Sequence, residues 1–383
     1  MREDIIGVNL VGYICSEHGV GESARHVASA LDKTGLQWCA YDFEVNNQSR
    51  KEDGTWKHKI SDKIQYPILL MNINADQIPV AHKYFGDEIW NNSYKIGIWY
   101  WELSEFPERW HSSVKLVDEI WAPTRFIQDA VSMKSERPVI YMPLPMSLQY
   151  PESVSRKKFG LPEDAFLFLN MYDTLSIQSR KNPAATISAF QQAFQPDDYS
   201  VGLVIKLNNS TLTEKDLQTL YKLVGEYKNI YILPVILTRI EVSELILACD
   251  VSVSLHRSEG LGLLCQEAMY FGKPVIATNY SGNTDFMSNQ EACMVDYKLV
   301  PVGQDFGPYE HWQKWADADV ESAVNYMKNL YEDRTLCQIK GKCAQKRIQS
   351  EYSPRVCADK MEKRIQFIRQ YILEKERLVS RGE

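Results

Sequence analysis

Two glutamates in one short segment form the strongest candidate site for chemistry in the sequence. Glu259 opens the run Glu-Gly-Leu-Gly, and Glu267 lies in the apolar segment that follows. The glycines come between a strand predicted over Val251–Leu255 and a helix-like segment that ends at Gly272. Helix amides at such a position favour an anion such as a diphosphate. The two carboxylates could then accept hydrogen bonds from hydroxyls at opposite ends of one extended ligand.

The same spacing also has a purely structural explanation. Glu259 could be a solvated loop residue and Glu267 a charge that interacts with the helix dipole, each worth roughly 0.3–1 kcal/mol. The spacing alone does not decide between the two interpretations.

Three basic residues accompany this segment. Arg180 and Lys181 precede a helix predicted to begin at Pro183, and Lys206 ends a predicted strand, so all three could face one crevice. Positioned cations can stabilise the negative charge that builds up on a leaving diphosphate, in place of a divalent metal. Any one of them could be an ordinary solvated base, but the set together favours an anion site.

A glycine-rich turn near the N-terminus is a weaker candidate. Gly19 and Gly21 lie between the first predicted strand and a helix predicted over Glu22–Leu31. The turn lacks the third glycine of the dinucleotide-binding fingerprint, which argues against a nicotinamide-dependent enzyme. Glu22 is a candidate binding residue, although it could equally be a first-turn helix charge.

An unusually aromatic segment follows the strand predicted over Lys95–Tyr100. Trp and Tyr rings stack on sugar rings while a carboxylate holds hydroxyls, so Trp101 and Glu102 are candidate binding residues. A buried aromatic cluster is at least as good an explanation for Trp99 and Trp101, because alternate residues of a strand face one side.

Composition and charge limit the classes of function. The chain has 383 residues, of which 44% are hydrophobic, so two domains of ordinary size are expected. The formal net charge of −7 argues against a nucleic-acid partner. The eight cysteines show no CxxC pair and no histidine at metal spacing, so neither a metal site nor a disulfide framework is expected. No signal peptide or membrane-spanning run is recognised, so a cytoplasmic protein is expected.

Short apolar runs alternate with helix-like segments almost throughout, which is typical of parallel sheets covered by helices. A proline-rich break over Pro143–Pro151 separates two such blocks. We therefore predict an α/β protein with two doubly wound domains facing a cleft, over residues 1–155 and 156–350. A last helix, over residues 351–383, is predicted to pack back toward the N-terminal domain.

The segment HRSEGLGLLCQEAMYFGKPVIATNYSGNTDFM resembles the donor-site signature of the retaining glycosyltransferases of family 4, also called glycosyl transferases group 1. The resemblance extends to SRKNPAATISAFQQAF and to WADADVESAVNYMKNLYED, and so spans most of the C-terminal half. Members have the GT-B fold, with two Rossmann-like domains around a cleft, and many work in bacterial polysaccharide assembly. The resemblance implies a hexosyltransferase that needs no metal or cofactor.

The resemblance also implies roles for individual residues. In the family the first glutamate contacts the transferred sugar and the second contacts the nucleotide ribose, which assigns those roles to Glu259 and Glu267. Retention without a dedicated nucleophile implies departure and attack on one face of the sugar, assisted by the leaving phosphate. The other donor contacts implied are Gly19, Gly21, Arg180, Lys181, Lys206, Gly260, Leu261, Gly262 and Leu263. The acceptor contacts implied are Glu22, Trp101 and Glu102.

The sequence departs from the family pattern at two places. Many members carry an arginine in a Gly-Arg pair where residues 169–172 read Leu-Asn-Met-Tyr, which shifts the phosphate role toward Arg180. Many members also place a histidine near the transferred sugar, at the strand end that here reads Trp-Glu. The candidates for that catalytic place are Glu102 and, secondarily, His111 and His256.

The expected partners are a nucleotide-sugar donor, linked to uridine or guanosine diphosphate, and a saccharide or lipid-linked glycan acceptor. The family suggests a peripheral location at the cytoplasmic face of a membrane, and the sequence leaves the oligomeric state open. An alternative is a non-catalytic carbohydrate-binding or scaffold protein that keeps the fold. Glycogen-type phosphorolysis would need a pyridoxal-binding lysine context that is not found.

Overall fold

The computed structural model of the chain describes residues 7–47, 49–174, 176–208 and 214–381. The chain forms two compact units. The first unit comprises Met1–Trp101, Phe106–Ser147 and Ser350–Glu383, and the second comprises Glu102–Glu105 and Leu148–Gln349. The short segment 102–105 therefore belongs with the second unit, although the strand before it belongs to the first.

The first unit is built on a six-stranded parallel sheet. The strands are β1 (Val8–Gly12), β2 (Trp38–Asp42), β3 (Ile68–Asn72), β4 (Tyr94–Ile98), β5 (Glu119–Ala122) and β6 (Val139–Tyr141). Their order is β2-β1-β3-β4-β5-β6, and every neighbouring pair is parallel. The connecting helices are α1 (Gly19–Leu31), α2 (Ile78–Asn91), α3 (His111–Leu116) and α4 (Arg125–Ser132).

The second unit repeats this plan. Its parallel strands are β7 (Phe166–Asp173), β8 (Val201–Asn208), β9 (Ile230–Leu233), β10 (Val251–Ser254), β11 (Val275–Thr278) and β12 (Cys293–Val295), in the order β12-β11-β10-β7-β8-β9. Its helices begin with α5 (Gln178–Lys181), α6 (Pro183–Ala193), α7 (Glu214–Val224), α8 (Arg239–Ala248) and α9 (Leu263–Tyr270). An antiparallel hairpin follows, formed by β13 (Tyr297–Pro301) and β14 (Lys314–Ala318). The unit ends with α10 (Val320–Glu332) and α11 (Arg334–Glu351).

The predicted fold class is confirmed, since both sheets are parallel and helices connect their strands. Local sequence signals set several helix starts. Pro183 occupies the first turn of α6, and Thr238 forms a capping box with Glu241 at the start of α8. The hairpin was not predicted, because its strands are short and exposed residues interrupt the apolar pattern of β13.

The order of strands in the second sheet determines where a ligand site can lie. From β7 the chain moves outward through β8 to β9, and it then returns to place β10 on the other side of β7. In open parallel sheets a crevice forms outside the carboxyl ends of strands at such a reversal. The loops after β7 and β10 are therefore the ones expected to carry binding residues.

The last helix, α12 (Pro354–Arg381), packs against α1 within the first unit. Arg364 of α12 forms an ion pair of 2.5 Å with Glu119, whose side chain is fully buried in β5. Tyr94 and Trp121 also donate hydrogen bonds to Glu119, so the buried charge is fully paired. Among the helices of the described residues, none combines the length and apolar character that a bilayer span requires.

Candidate functional site

The loop between β10 and α9 holds Glu259 in a fixed position. The amide of Glu259 donates to Ser281 Oγ at 2.8 Å, and the Gly282 amide donates to the Glu259 carbonyl at 2.9 Å. A Cβ at Gly282 would lie 1.9 Å from the Gly260 carbonyl oxygen, so only glycine permits this approach. The turn at 281–282 therefore packs directly on the backbone that carries Glu259.

The four residues after Glu259 complete the entry into α9. Gly262 precedes the helix with φ of 87°, a left-handed conformation that favours glycine. Leu263 is the first helical residue, so its amide faces outward from the helix N-terminus. Gly260 and Leu261, which connect Glu259 to Gly262, are both buried. The segment therefore lies between a strand and a helix, as the sequence predicted.

Two cations neutralise Glu259. Lys181 Nζ lies 2.5 Å from Glu259 Oε1, and Arg180 NH1 lies 3.2 Å from Oε2. Burial raises the pKa of the Glu259 carboxyl, but Lys181 and Arg180 outweigh this effect and lower the pKa to about 2. Glu259 is therefore a buried carboxylate that stays ionised at any physiological pH.

Arg180 links this pair to a second carboxylate. Its guanidinium is 5% exposed, donates to the Ser258 carbonyl at 2.8 Å, and lies 4.0 Å from Glu102 Oε1. Tyr309 donates to Glu102 Oε2 at 2.8 Å, and Ser258 Oγ donates to the Glu102 carbonyl. The structure thus brings together Glu102, Arg180 and Glu259, residues that are far apart in sequence.

A second group of charges surrounds Glu267, which is 2% exposed. Arg239 NH1 lies 2.8 Å from Glu267 Oε1. Burial lowers the pKa of Lys206 to about 8; Arg239 acts in the same direction, while Asp173 and Glu267 act against it. Lys206 is thus held partly uncharged near pH 8, beside a carboxylate and a second base.

Both ring nitrogens of His256 have hydrogen-bonding partners within the second unit. Its Nδ1 lies 3.0 Å from Ser254 Oγ, and its Nε2 lies 3.1 Å from Asn283 Oδ1. Burial lowers the pKa of His256, which favours the neutral imidazole. The contact with Asn283 ties the turn after β11 to the loop after β10. His111, the other secondary candidate, begins α3 in the first unit.

The candidates Gly19, Gly21 and Glu22 lie in the first turn of α1, because this helix begins at Gly19 and not at the predicted Glu22. A Cβ at Gly21 would lie 2.2 Å from the Ser16 carbonyl oxygen, whereas Gly19 faces open space. The His18 side chain accepts from the Gly21 amide and caps α1. Glu22 is buried and pairs with Arg25 at 2.6 Å. The first-turn helix charge that the sequence left as an alternative for Glu22 agrees with this ion pair.

Trp101 lies in a buried aromatic cluster. Its ring is 1% exposed and meets Phe106 and Trp110 edge to face, at 6.2 and 5.1 Å between centroids. Trp99 stacks on Phe106 in the same cluster. Trp101 therefore lies in the kind of buried aromatic cluster that the sequence offered as the other interpretation, and its role as an acceptor contact stays a prediction.

Two residues of the site escaped the sequence analysis. Arg239 is the first residue of α8, and the sequence around it does not distinguish it from an ordinary surface base. Tyr309 lies in the loop between β13 and β14, and its contact with Glu102 joins residues 207 positions apart. The sequence signal for Tyr309 is the high aromatic content of the segment around it, and these aromatic residues form no motif with a recognised spacing.

Solved structures show which fold the two units form. HepE from Anabaena, in complex with UDP and glucose, is 13% identical, with a TM-score of 0.69 over 94% of this chain and 99% of HepE. Sucrose-phosphate synthase from Thermosynechococcus elongatus is 14% identical, with a TM-score of 0.69 over 96% of this chain and 100% of the synthase. A glycosyltransferase from Rickettsia africae is 12% identical, with a TM-score of 0.67 over 95% of this chain and 99% of that protein. At these identities the likeness establishes the fold, which is GT-B.

A family model also matches part of the sequence. Residues 153–298 match the family model described as glycosyl transferases group 1, and all of them lie in the second unit. A search of curated proteins finds no match. The family match and the fold together support a GT-B glycosyltransferase, so the resemblance seen in the donor-site signature is confirmed at that level.

Proposed function

We propose that the chain transfers a hexose, with retention, from a nucleoside diphosphate sugar to a saccharide acceptor without a metal. The observation that carries this proposal is the buried Glu259 carboxylate, bracketed by Arg180 and Lys181 where the second sheet reverses its strand order. The family match over these residues supports it. HepE, which shares the fold, is known in complex with UDP-glucose, and this supports a nucleotide-sugar donor.

The proposed donor site uses the cations for the diphosphate. Arg180 and Lys181, which lie beside Glu259, would supply positive charge to the diphosphate. Lys206 and Arg239, which lie near Glu267, would supply more. The diphosphate of a nucleotide sugar carries two negative charges, whereas each carboxylate that now pairs with these bases carries one. It would draw Lys181 away from Glu259 and Arg239 away from Glu267, because charge-assisted bonds to phosphate are strong. The outward amides at Gly262 and Leu263 would assist.

This exchange frees the two carboxylates for hydroxyl groups. In the proposal Glu259 accepts hydrogen bonds from the transferred sugar and Glu267 accepts them from the ribose. In the free protein Glu259 is ionised, with a pKa of about 2, and an ionised carboxylate can accept hydrogen bonds from two hydroxyls at once. Donor binding and carboxylate release are then one step, and a free sugar without a diphosphate would bind poorly.

The chemical step is proposed to rely on the leaving group. The bond between the anomeric carbon and the phosphate oxygen breaks, its electron pair stays on the diphosphate, and the cations stabilise the added charge. The acceptor hydroxyl attacks from the same face, and its proton passes to the departing phosphate oxygen. Glu102 is proposed to take the place of the histidine that many family members have near the transferred sugar. The acceptor is proposed to be a glycan of polysaccharide or lipid-linked type.

A panel of nucleotide sugars in a thermal-shift assay tests the donor assignment. A donor at about 100 times its dissociation constant adds roughly 2.7 kcal/mol of stability, which raises the melting temperature by several degrees. We expect one UDP- or GDP-linked hexose to do so, equally in buffer with EDTA. No shift with any nucleotide sugar or nucleoside diphosphate would contradict the proposal. Binding without turnover in the presence of glycan acceptors would favour the non-catalytic alternative.

A further inference from the structure

The loop between β13 and β14 is bonded to the segment 102–105 at two points. Tyr309 donates from its hydroxyl to Glu102 Oε2 at 2.8 Å. Gln313 donates from Nε2 to the Glu105 carbonyl at 2.9 Å. Both side chains are buried, with exposures of 4% and 3%. The loop therefore fixes this segment through hydrogen bonds in a region shielded from water, where such bonds are most effective.

Glu102 is held from the opposite side as well. Ser258 Oγ donates to the Glu102 carbonyl, so the loop that carries Glu259 also contacts Glu102. The Glu102 carboxylate then lies between the Tyr309 hydroxyl and the Arg180 guanidinium, at 2.8 and 4.0 Å. The Tyr309 hydroxyl orients the Glu102 carboxylate by donating to Oε2. Because this donor is neutral, the negative charge of Glu102 remains available to Arg180, which lies near Oε1.

Arg180 has little freedom of its own. It is 5% exposed, and its orientation is set by the Ser258 carbonyl and the two carboxylates of Glu259 and Glu102. A diphosphate would compete with Glu259 for the guanidinium, and the contact to Glu102 would then keep the arginine aligned. The contact acts through position, since Glu102 itself repels a phosphate.

We propose that Tyr309 is a positioning residue for catalysis: through Glu102 it orients Arg180 toward the diphosphate of the donor. This inference rests on the proposed function, in which Arg180 binds the diphosphate. It assigns the β13–β14 loop to the donor site, although no part of the loop carries a charge that would bind the donor directly.

The test compares Tyr309→Phe with the wild type. Turnover is measured with the donor that gives the largest thermal shift, and calorimetry measures the affinity for UDP and UMP, or for GDP and GMP if that donor carries guanosine. We expect the diphosphate affinity and kcat to fall about fivefold or more, with the monophosphate affinity unchanged. Unchanged diphosphate affinity and kcat, or an equal loss for both nucleotides, would overturn the inference.

Two further variants keep the result interpretable. Tyr227→Phe removes another hydrogen-bonded tyrosine hydroxyl of the same unit, one that donates to the Gln191 carbonyl, and is expected to leave both affinities unchanged. Glu102→Gln keeps the shape of the side chain and should reproduce the diphosphate-specific loss. The double variant Glu102→Gln with Tyr309→Phe should lose no more than either single variant, because the two act through one contact.

Additive losses in the double variant would overturn the inference while leaving the proposed function in place. If the wild type itself binds no nucleoside diphosphate and turns over no nucleotide sugar, the proposed function fails, and the inference fails with it. The two failures are therefore distinguished by the wild-type measurement alone.

Discussion

Glu259 carries its negative charge in surroundings that oppose it. Burial alone would favour the protonated acid, and only the contacts to Lys181 and Arg180 reverse that preference. A buried carboxylate that depends on two cations is costly to keep unless something uses it, because an apolar side chain of similar size is often as stable. This is the physical argument for a ligand-binding role at this position.

The first prediction concerns the dependence of stability on pH. The folded-state pKa of Glu259 lies below the ordinary value of 4.5. Its stabilising contribution, on the order of 3 kcal/mol, is therefore fully present above pH 4.5 and is lost as the pH falls toward about 2. We expect Glu259→Gln, which mimics the protonated acid, to be less stable than the wild type at pH 7. Urea denaturation at pH 7 and pH 4 should show this difference shrinking at the lower pH, and an equal difference at both would contradict the assignment.

A second prediction at the residue scale follows from Lys206, whose pKa is lowered to about 8, chiefly by burial. A diphosphate bound nearby would favour the charged form, so binding takes up a proton wherever the free protein has lost one. Affinity for the nucleoside diphosphate should therefore fall as the pH rises from 7 to 8.5. Lys206→Arg keeps its charge throughout this range and should show a flatter profile in calorimetric titrations. Parallel profiles for the two proteins would exclude Lys206 from the diphosphate site.

At the scale of elements, two turns act as one unit. The turn after β11 supports the loop after β10 through Gly282, through Ser281 Oγ and through the bond between His256 and Asn283. Ser281 has φ of 76°, an uncommon conformation for a residue with a side chain. The donor loop is thus shaped by a neighbouring turn as well as by its own glycines.

The third prediction is that Gly282→Ala damages this support. The new Cβ would meet the Gly260 carbonyl oxygen at 1.9 Å, so the loop must shift. We expect a loss of roughly 1–3 kcal/mol of stability, together with weaker nucleoside diphosphate binding because Glu259 moves. Gly54→Ala is the matched control, since its Cβ would meet nothing within 4 Å. Equal thermal unfolding and equal binding in both variants would show that the close approach is unimportant.

The elements themselves could be predicted in large part from the sequence. The strand β11, for example, begins with the buried apolar residues Val275, Ile276 and Ala277, and a parallel strand that is covered on both faces typically has such a short apolar run. The start of α6 follows from Pro183. The strand β2 and the β13–β14 hairpin were missed, because their short segments mix apolar with polar residues, and several positions of the hairpin are exposed.

At the scale of the whole molecule, the chain has two units with the same plan. The alternation of strands and helices predicts two parallel sheets, but the strand order depends on contacts across tens of residues that no local pattern encodes. The same limit applies to the site. The resemblance implied roles for Glu259, Glu267, Arg180 and Lys181, whereas the contact of Tyr309 with Glu102 is visible only in the folded chain.

The release of nucleoside diphosphate from a panel of UDP- and GDP-linked hexoses is the most direct test of the central claim. It is measured with glycan acceptors present, for the wild type and for Lys181→Gln. We predict release from at least one donor by the wild type and a loss of about 100-fold or more in Lys181→Gln, because the leaving diphosphate loses a positioned cation. No release from any donor, or equal rates in the two proteins, would contradict the account.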